Sequence, residues 1–179
     1  KGISMAHPIK HFITITKHRH LVMKLCFKMG LYKQGLLHDL SKYSYTEFSN
    51  SAKYYVGTYS PTISERKEKG YSDIWMHHKG RNKHHYEYWF DFSNVEKKYV
   101  PIKIPIQYVK EMICDRIAAS KVYLKDQYTK SSALEYFNRT YDRHEMHHET
   151  SALLKSWLEL VSEKGENEAI KIIKKVKNY

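Results

Sequence analysis

The residues most able to do chemistry in this sequence lie at Gly35-Leu36-Leu37-His38-Asp39-Leu40-Ser41-Lys42-Tyr43, where an imidazole and a carboxylate follow a short apolar run. A nitrogen ligand beside a carboxylate that can bridge two ions suits a divalent transition metal (Fe, Mn, Zn, Co or Ni) better than Mg or Ca alone. A His-Asp dipeptide is common by chance, so what else converges on it decides its worth. His18, His78, His85 and Asp115 fall at inward positions of predicted segments. Each alone reads as a hydrogen-bonded core residue. Together with His38 and Asp39 they are hard to satisfy by pairing alone, and a buried polar group left unpaired costs about 1–3 kcal/mol. One or two metal ions account for them better. The phase of Tyr71, Ile74 and Trp75 favours His78 over His77, and that of Trp89 favours His85 over His84, so His77 and His84 are ligands of second choice.

The elements that must position these groups are helical. Residues 9–29 carry Phe12, Ile15, Val22, Leu25, Cys26 and Met29 at spacings of three and four, with His18 on the same stripe and Gly30 as a stop. A short helix over 31–39 ends at His38-Asp39. Ser44-Tyr45-Thr46-Glu47 reads as a capping box opening a helix whose inner face is Phe48, Ala52 and Tyr55. Another helix is expected from 64 to 79, then a break at Gly80-Arg81-Asn82 and an aromatic segment after His84-His85. Residues 106–125 are apolar on most of their circumference and should form the central helix, with Asp115 on the face of Tyr108, Met112, Ala119 and Val122. Helices over 131–143 and 149–163 and an amphipathic tail through Ala169, Ile172, Ile173 and Val176 complete an all-α reading, with no alternating strand.

Composition narrows the function. At 179 residues the chain fits one domain. No run of 18 apolar residues offers a transmembrane helix, and Lys17 and Arg19 interrupt any secretory signal. Cys26 and Cys114 fall in apolar helical patterns and read as reduced core residues of a cytoplasmic protein. The net charge is +12, and seven Lys and Arg but no acidic residue precede Asp39. That balance favours an anionic small molecule or nucleic acid as partner, the latter less because base-stacking aromatics do not alternate with the basic residues. A rival motif, His144-Glu145-Met146-His147-His148, would suggest a zinc protease if it lay on one helix, but its polar flanks favour a helix junction.

The order His18, His38-Asp39, then Asp115 resembles the HD-domain superfamily of metal-dependent phosphohydrolases, over about residues 10–125. His77-His78 and His84-His85 look like the extra histidines of two-metal members, including the HD-GYP phosphodiesterases. His38-Asp39-Leu40-Ser41-Lys42 is similar to their His-Asp-x-Gly-Lys, with Ser41 in place of Gly. Gly80-Arg81-Asn82-Lys83 departs from their Gly-Tyr-Pro motif. Across most of its length the chain also resembles an uncharacterised bacterial family with the patterns His-Asp-Leu-Ser-Lys-Tyr-Ser and His-His-Lys-Gly-Arg-Asn-Lys-His-His.

The resemblance implies one HD-like bundle over 1–179, of about six to eight helices, with a metal-site core over about 10–125 and C-terminal helices over 131–179. It implies hydrolysis of a small phosphorylated or nucleotide substrate, with metal ligands His18, His38, Asp39, His78, His85 and Asp115. Asp39 and Lys42 are the catalytic candidates, and Lys42, Lys79, Arg81 and Lys83 are the substrate-binding ones. The di-iron oxygenases of the inositol-oxygenase type share the ligand order, and their Lys in His-Asp-x-x-Lys contacts substrate, as Lys42 would. A basic nucleic-acid-binding module without catalysis is the remaining alternative.

Overall fold

The first helix is set by a stripe of buried residues, His11, Ile15, His18, Val22, Leu25, Cys26 and Met29, which recur every three or four positions along α1 (Pro8–Met29). A computed structural model describes residues 7–143 and 145–179. In it His11, not Phe12, lies in the inner stripe. Phe12 is 48% exposed and packs its edge on Tyr43 and Phe48. Gly30, at φ 80°, ends α1 with the N–H groups of Gly30 and Leu31 donating to the carbonyls of Phe27 and Cys26.

The short α2 (Tyr32–Leu37) lies back against α1 through Gly35. A Cβ there would stand 3.0 Å from Cys26 Cβ and 3.1 Å from the Phe27 ring. The helix ends one residue before His38, earlier than expected. Asp39 takes the left-handed conformation, φ 54° and ψ 23°, and a 3-10 turn over Leu40–Tyr43 follows. Such a backbone is uncommon outside glycine and is tolerated best by Asn and Asp.

Ser44 caps α3 (Tyr45–Lys53) by accepting the Glu47 N–H. The helix predicted over 64–79 is two helices, α4 (Pro61–Lys69) and α5 (Asp73–Lys79), because Gly70 at φ 85° stops the first. Tyr71 therefore lies outside both and is 57% exposed. The fully buried Glu65 fixes the start of α5 by accepting from Ser72 Oγ at 2.6 Å and Ile74 N at 3.1 Å. After a 3-10 turn at Tyr86–Tyr88 comes a hairpin that was not expected. β1 (Phe90–Ser93) pairs antiparallel with β2 (Lys98–Pro101), Phe90 opposite Pro101 and Ser93 opposite Lys98. Half of its strand residues are exposed, none is buried, and they carry no alternating apolar face to read.

The central helix is α6 (Ile106–Leu124), buried at Val109, Met112, Ile113, Cys114, Ile117 and Ala118. It packs on α1, where the free Cys26 and Cys114 meet. On its other sides lie α7 (Ser132–Arg139) and α8 (His148–Lys164), while α9 (Glu166–Lys175) packs on α8 and α1. On α9 the buried positions are Ala169, Ile170 and Ile173, with Ile172 turned outward. The fold is mostly α-helical, with nine α-helices among the described residues rather than six to eight. No described helix is long and apolar enough to cross a membrane.

Candidate metal centre

Four segments bring their polar side chains to one place. α1 supplies His18, the end of α2 supplies His38 and Asp39, α5 and the loop after it supply His78, His84 and His85, and α6 supplies Glu111 and Asp115. Asp39 stands in the middle, 1% exposed. Its two oxygens face different partners. Oδ2 lies 3.3 Å from His38 Nε2 and 3.6 Å from His18 Nε2, whereas Oδ1 lies 3.3 Å from His78 Nε2 and 3.5 Å from His84 Nε2. Asp115 Oδ1 closes the first set, 2.9 Å from His18 Nε2 and 3.6 Å from His38 Nε2. His85 closes the second, its Nε2 2.9 Å from His78 Nε2.

The outer ring nitrogens are held by two buried carboxylates. Glu111 Oε1 lies 2.8 Å from His38 Nδ1 and 3.1 Å from His84 Nδ1. Glu47 Oε1 lies 2.7 Å from His78 Nδ1, and its Oε2 lies 3.0 Å from His77 Nδ1. A carboxylate at hydrogen-bond distance accepts, so each Nδ1 carries the proton and each Nε2 presents a lone pair inward. Those lone pairs then face one another and the Asp39 and Asp115 oxygens. A bound cation would relieve that, as would a proton on His18 Nε2 shared with Asp115 Oδ1 or one shared between His78 Nε2 and His85 Nε2. Asp39 Oδ1 and His84 Nε2 have no hydrogen-bond partner, and Asp39 Oδ2 has an ion pair with Lys42 Nζ at 2.6 Å.

The electrostatics say the same. Burial would push His38 and His78 down, but the Asp39 charge and the hydrogen bonds to Asp115, Glu111 and Glu47 outweigh it and hold both above the ordinary histidine range. Burial would raise Asp39 and Asp115. The surrounding imidazoles, joined by Lys42 at Asp39, instead hold both well below the usual carboxylate range. His85 is pushed well below its ordinary value, by burial first and then by His84 and His78. A proton thus sits on this cluster where a multivalent ion would displace it.

Each of two groups, His18-His38-Asp39-Asp115 and Asp39-His78-His84-His85, has its candidate ligand atoms within 4.8 Å of one another and could hold a metal ion. Bonds of about 2.0–2.2 Å to nitrogen and oxygen put ligand atoms some 3–4 Å apart, so the donor set fits. A third group, His38-His84-Glu111, uses the nitrogens already hydrogen-bonded to Glu111. The Lys42 and Asp115 side chains are 29% and 18% exposed and His85 is half-buried, while His18, His38, Asp39, His78 and His84 are buried.

A family model described as a family of unknown function, DUF5662, matches residues 7–160. The chain belongs to that family. The whole of the cluster lies inside the matched DUF5662 region. No curated protein and no solved structure matches the chain.

Within this DUF5662 chain helical phase ranks His84 behind His85, whereas the structure brings both, with His78, beside Asp39. His84 is 1% exposed and lies on Asp39, on a par with His78, because residues 80–85 are a turn with no helical phase. His77 meets Glu47 instead of the cluster. Glu47 and Glu111 were missed. Glu47 looked occupied by its cap, yet its side chain leaves Ser44 for the two histidines. Glu111 had a legible signal, since it precedes Asp115 by four and so shares its helix face. Of the basic residues near the His pairs, Lys42 touches Asp39. Arg81 donates to the His77 carbonyl at 3.0 Å, and Lys83 lies over the Tyr88 and Tyr108 rings. Lys79 is half-buried at the end of α5. In the rival motif, His144 lies outside the described residues. Residues 145–147 are not helical, so the single helix that a zinc-protease motif needs is missing there.

Proposed function

We propose that this protein is a two-metal hydrolase of small phosphorylated substrates, of the HD type. The observation that carries the reading is the division of Asp39, with one oxygen facing His18 and His38 and the other facing His78 and His84. Asp39 would bridge the two ions. His18, His38 and Asp115 would complete one site, and His78, His84 and His85 the other. Bound divalent ions would supply an activated water at neutral pH and polarise a phosphoryl oxygen. The protein's own groups do the rest. Glu111 and Glu47 keep the Nδ1 protons in place and so aim the Nε2 lone pairs. Lys42, on the solvent side of Asp39, holds an anionic oxygen of the substrate as it enters. Lys79, Arg81 and Lys83 add positive potential around the mouth without reaching the centre.

Lys42 on Asp39 also suits oxygen-dependent chemistry at two irons, which makes that the second reading. One anaerobic experiment separates them. Protein loaded with Mn or Fe is given nucleotides, phosphodiesters and sugar phosphates with and without O₂. Phosphate release that is independent of O₂ and absent in Asp39→Ala supports the hydrolase. Turnover that requires O₂ and iron, with no phosphate released from any substrate, replaces it with the oxygenase.

A further inference from the structure

The helices that supply His18 and Asp115 also form the wall of a separate cavity of about 630 Å³. Lys10, Thr14 and Lys17 line it from α1, Tyr55 and Thr58 from the turn after α3, and Lys125 from the end of α6. No carboxylate is among its lining residues. Lys42, Lys69, Lys103 and Lys121 are each matched to an acidic partner. No described carboxylate stands in ion-pair range of Lys10, Lys17 or Lys125. Three cations around one concavity repel one another, and an anion placed among them removes that repulsion. Thr58 adds a hydroxyl to the wall, while those of Thr14 and Tyr55 are engaged: Thr14 Oγ1 donates to the Lys10 carbonyl at 2.9 Å and lies 2.7 Å from Tyr55 Oη.

The cavity is close to the metal centre but distinct from it. Lys17 is next to His18 in the chain. Val122, on its wall, follows Asp115 by seven residues, about 10 Å along the helix. A bare phosphate would not fill the volume, which is in the range of small-molecule sites.

We propose that this cavity holds a second, non-reacting phosphate of the substrate, so that the molecule turned over at Asp39 carries two phosphate groups. The substrate class is thus a bisphosphorylated small molecule. What happens at Asp39 rests on the hydrolase reading, but the anion site does not.

The test begins with the full chain stripped of metal by chelation and titrated calorimetrically with pyrophosphate. Replacing Lys10, Lys17 and Lys125 together by Ala should weaken binding at least tenfold. Replacing Lys164, Lys174 and Lys175 by Ala makes the same charge change elsewhere and should weaken it less than twofold. Equal weakening by the two sets, or none from the first, overturns the cavity. Lys17→Glu alone serves the same comparison if the triple variant does not fold. In a second arm the metal-loaded protein is given mono- and bisphosphorylated substrates. The cavity variant should raise KM for the bisphosphorylated ones only, with metal content unchanged, and an equal rise for both overturns the proposal. If pyrophosphate binding follows the lysines but no phosphate ester is cleaved, the anion site stands and the hydrolase reading falls.

Discussion

Glu111 Oε1 lies 2.8 Å from His38 Nδ1, and the same oxygen reaches His84 Nδ1 at 3.1 Å, so one carboxylate orients one imidazole of each proposed ion site. Carboxylates behind metal-binding histidines fix the tautomer and raise ligand basicity, and losing one costs about 10–100-fold in affinity. Glu111→Gln is therefore expected to weaken both sites together. Competition with a chromogenic chelator would show it. Weakening at one site alone would mean that the shared oxygen serves only one ring.

His84 and His77 should separate cleanly. His84 Nε2 is on Asp39, while His77 reaches only Glu47. His84→Ala should lower the metal content from two ions to one by elemental analysis, and His77→Ala should leave the stoichiometry intact. The opposite result would return the second site to the choice that helical phase suggests.

Gly35 positions His38 by letting α2 approach α1. A Cβ at 3.0 Å from Cys26 Cβ and 3.1 Å from the Phe27 ring is crowded by two α1 side chains, so helix or ring must give by a few tenths of an ångström. Gly35→Ala should cost about 1–3 kcal/mol, the range for overpacking, and displace His38 enough to lower metal affinity. Denaturant unfolding with and without metal measures both effects. An unchanged midpoint would show that α2 can slide outward freely.

His11 gives the pH dependence. It is 3% exposed between the Phe48 and Tyr55 rings, and neither ring nitrogen has a hydrogen-bond partner. Burial, with Lys42 adding to it and Glu47 opposing, pulls its pKa down to about 4. The unfolded chain takes up that proton near 6.5. Stability from this group is therefore complete above pH 6.5 and is lost as pH falls toward 4, by about 2 kcal/mol at pH 4.5. His11→Phe removes the titration. Urea unfolding at pH 7 and 4.5 should show the variant gaining on the wild type by that amount, and a constant difference would refute a neutral buried ring.

The fold and the site were legible to different depths. The stripes of α1 and the all-round apolar α6 follow directly from spacing, because burial there is set by a helical period. Cys26 and Cys114 follow too, as small buried groups at the α1–α6 contact. Phase failed where the chain is not helical: His84 and His85 sit in a turn whose geometry depends on Asn82. The Asn82 side-chain amide donates to the His78 carbonyl at 2.8 Å and to Ser41 Oγ at 2.9 Å, a contact across 41 residues that no local pattern encodes. The break at Gly70 depends on a left-handed glycine that a helical window simply absorbs. Glu47 shows the deeper limit. Its backbone N–H obeys the capping pattern while its side chain answers to His77 and His78, so a local rule and a long-range one act on the same residue.

Asp39 offers the sharpest separation of metal from fold. Its backbone is left-handed, so Ala would add strain to the loss of a ligand, whereas Asn tolerates that conformation and keeps the side-chain shape. Asn cannot bridge two ions through two anionic oxygens, so Asp39→Asn should fold and yet lose both sites. A ligand present at 100 times its dissociation constant stabilises the folded state by about 2.7 kcal/mol. For a chain of this size that corresponds to a rise in Tm of roughly 5–11 °C. Wild-type protein should show such a rise when Mn or Zn is added after chelation. Asp39→Asn should show almost none, while its Tm in chelator stays near that of the wild type. A variant that still gains the full shift would place the ion at residues other than the pair of sites joined by Asp39.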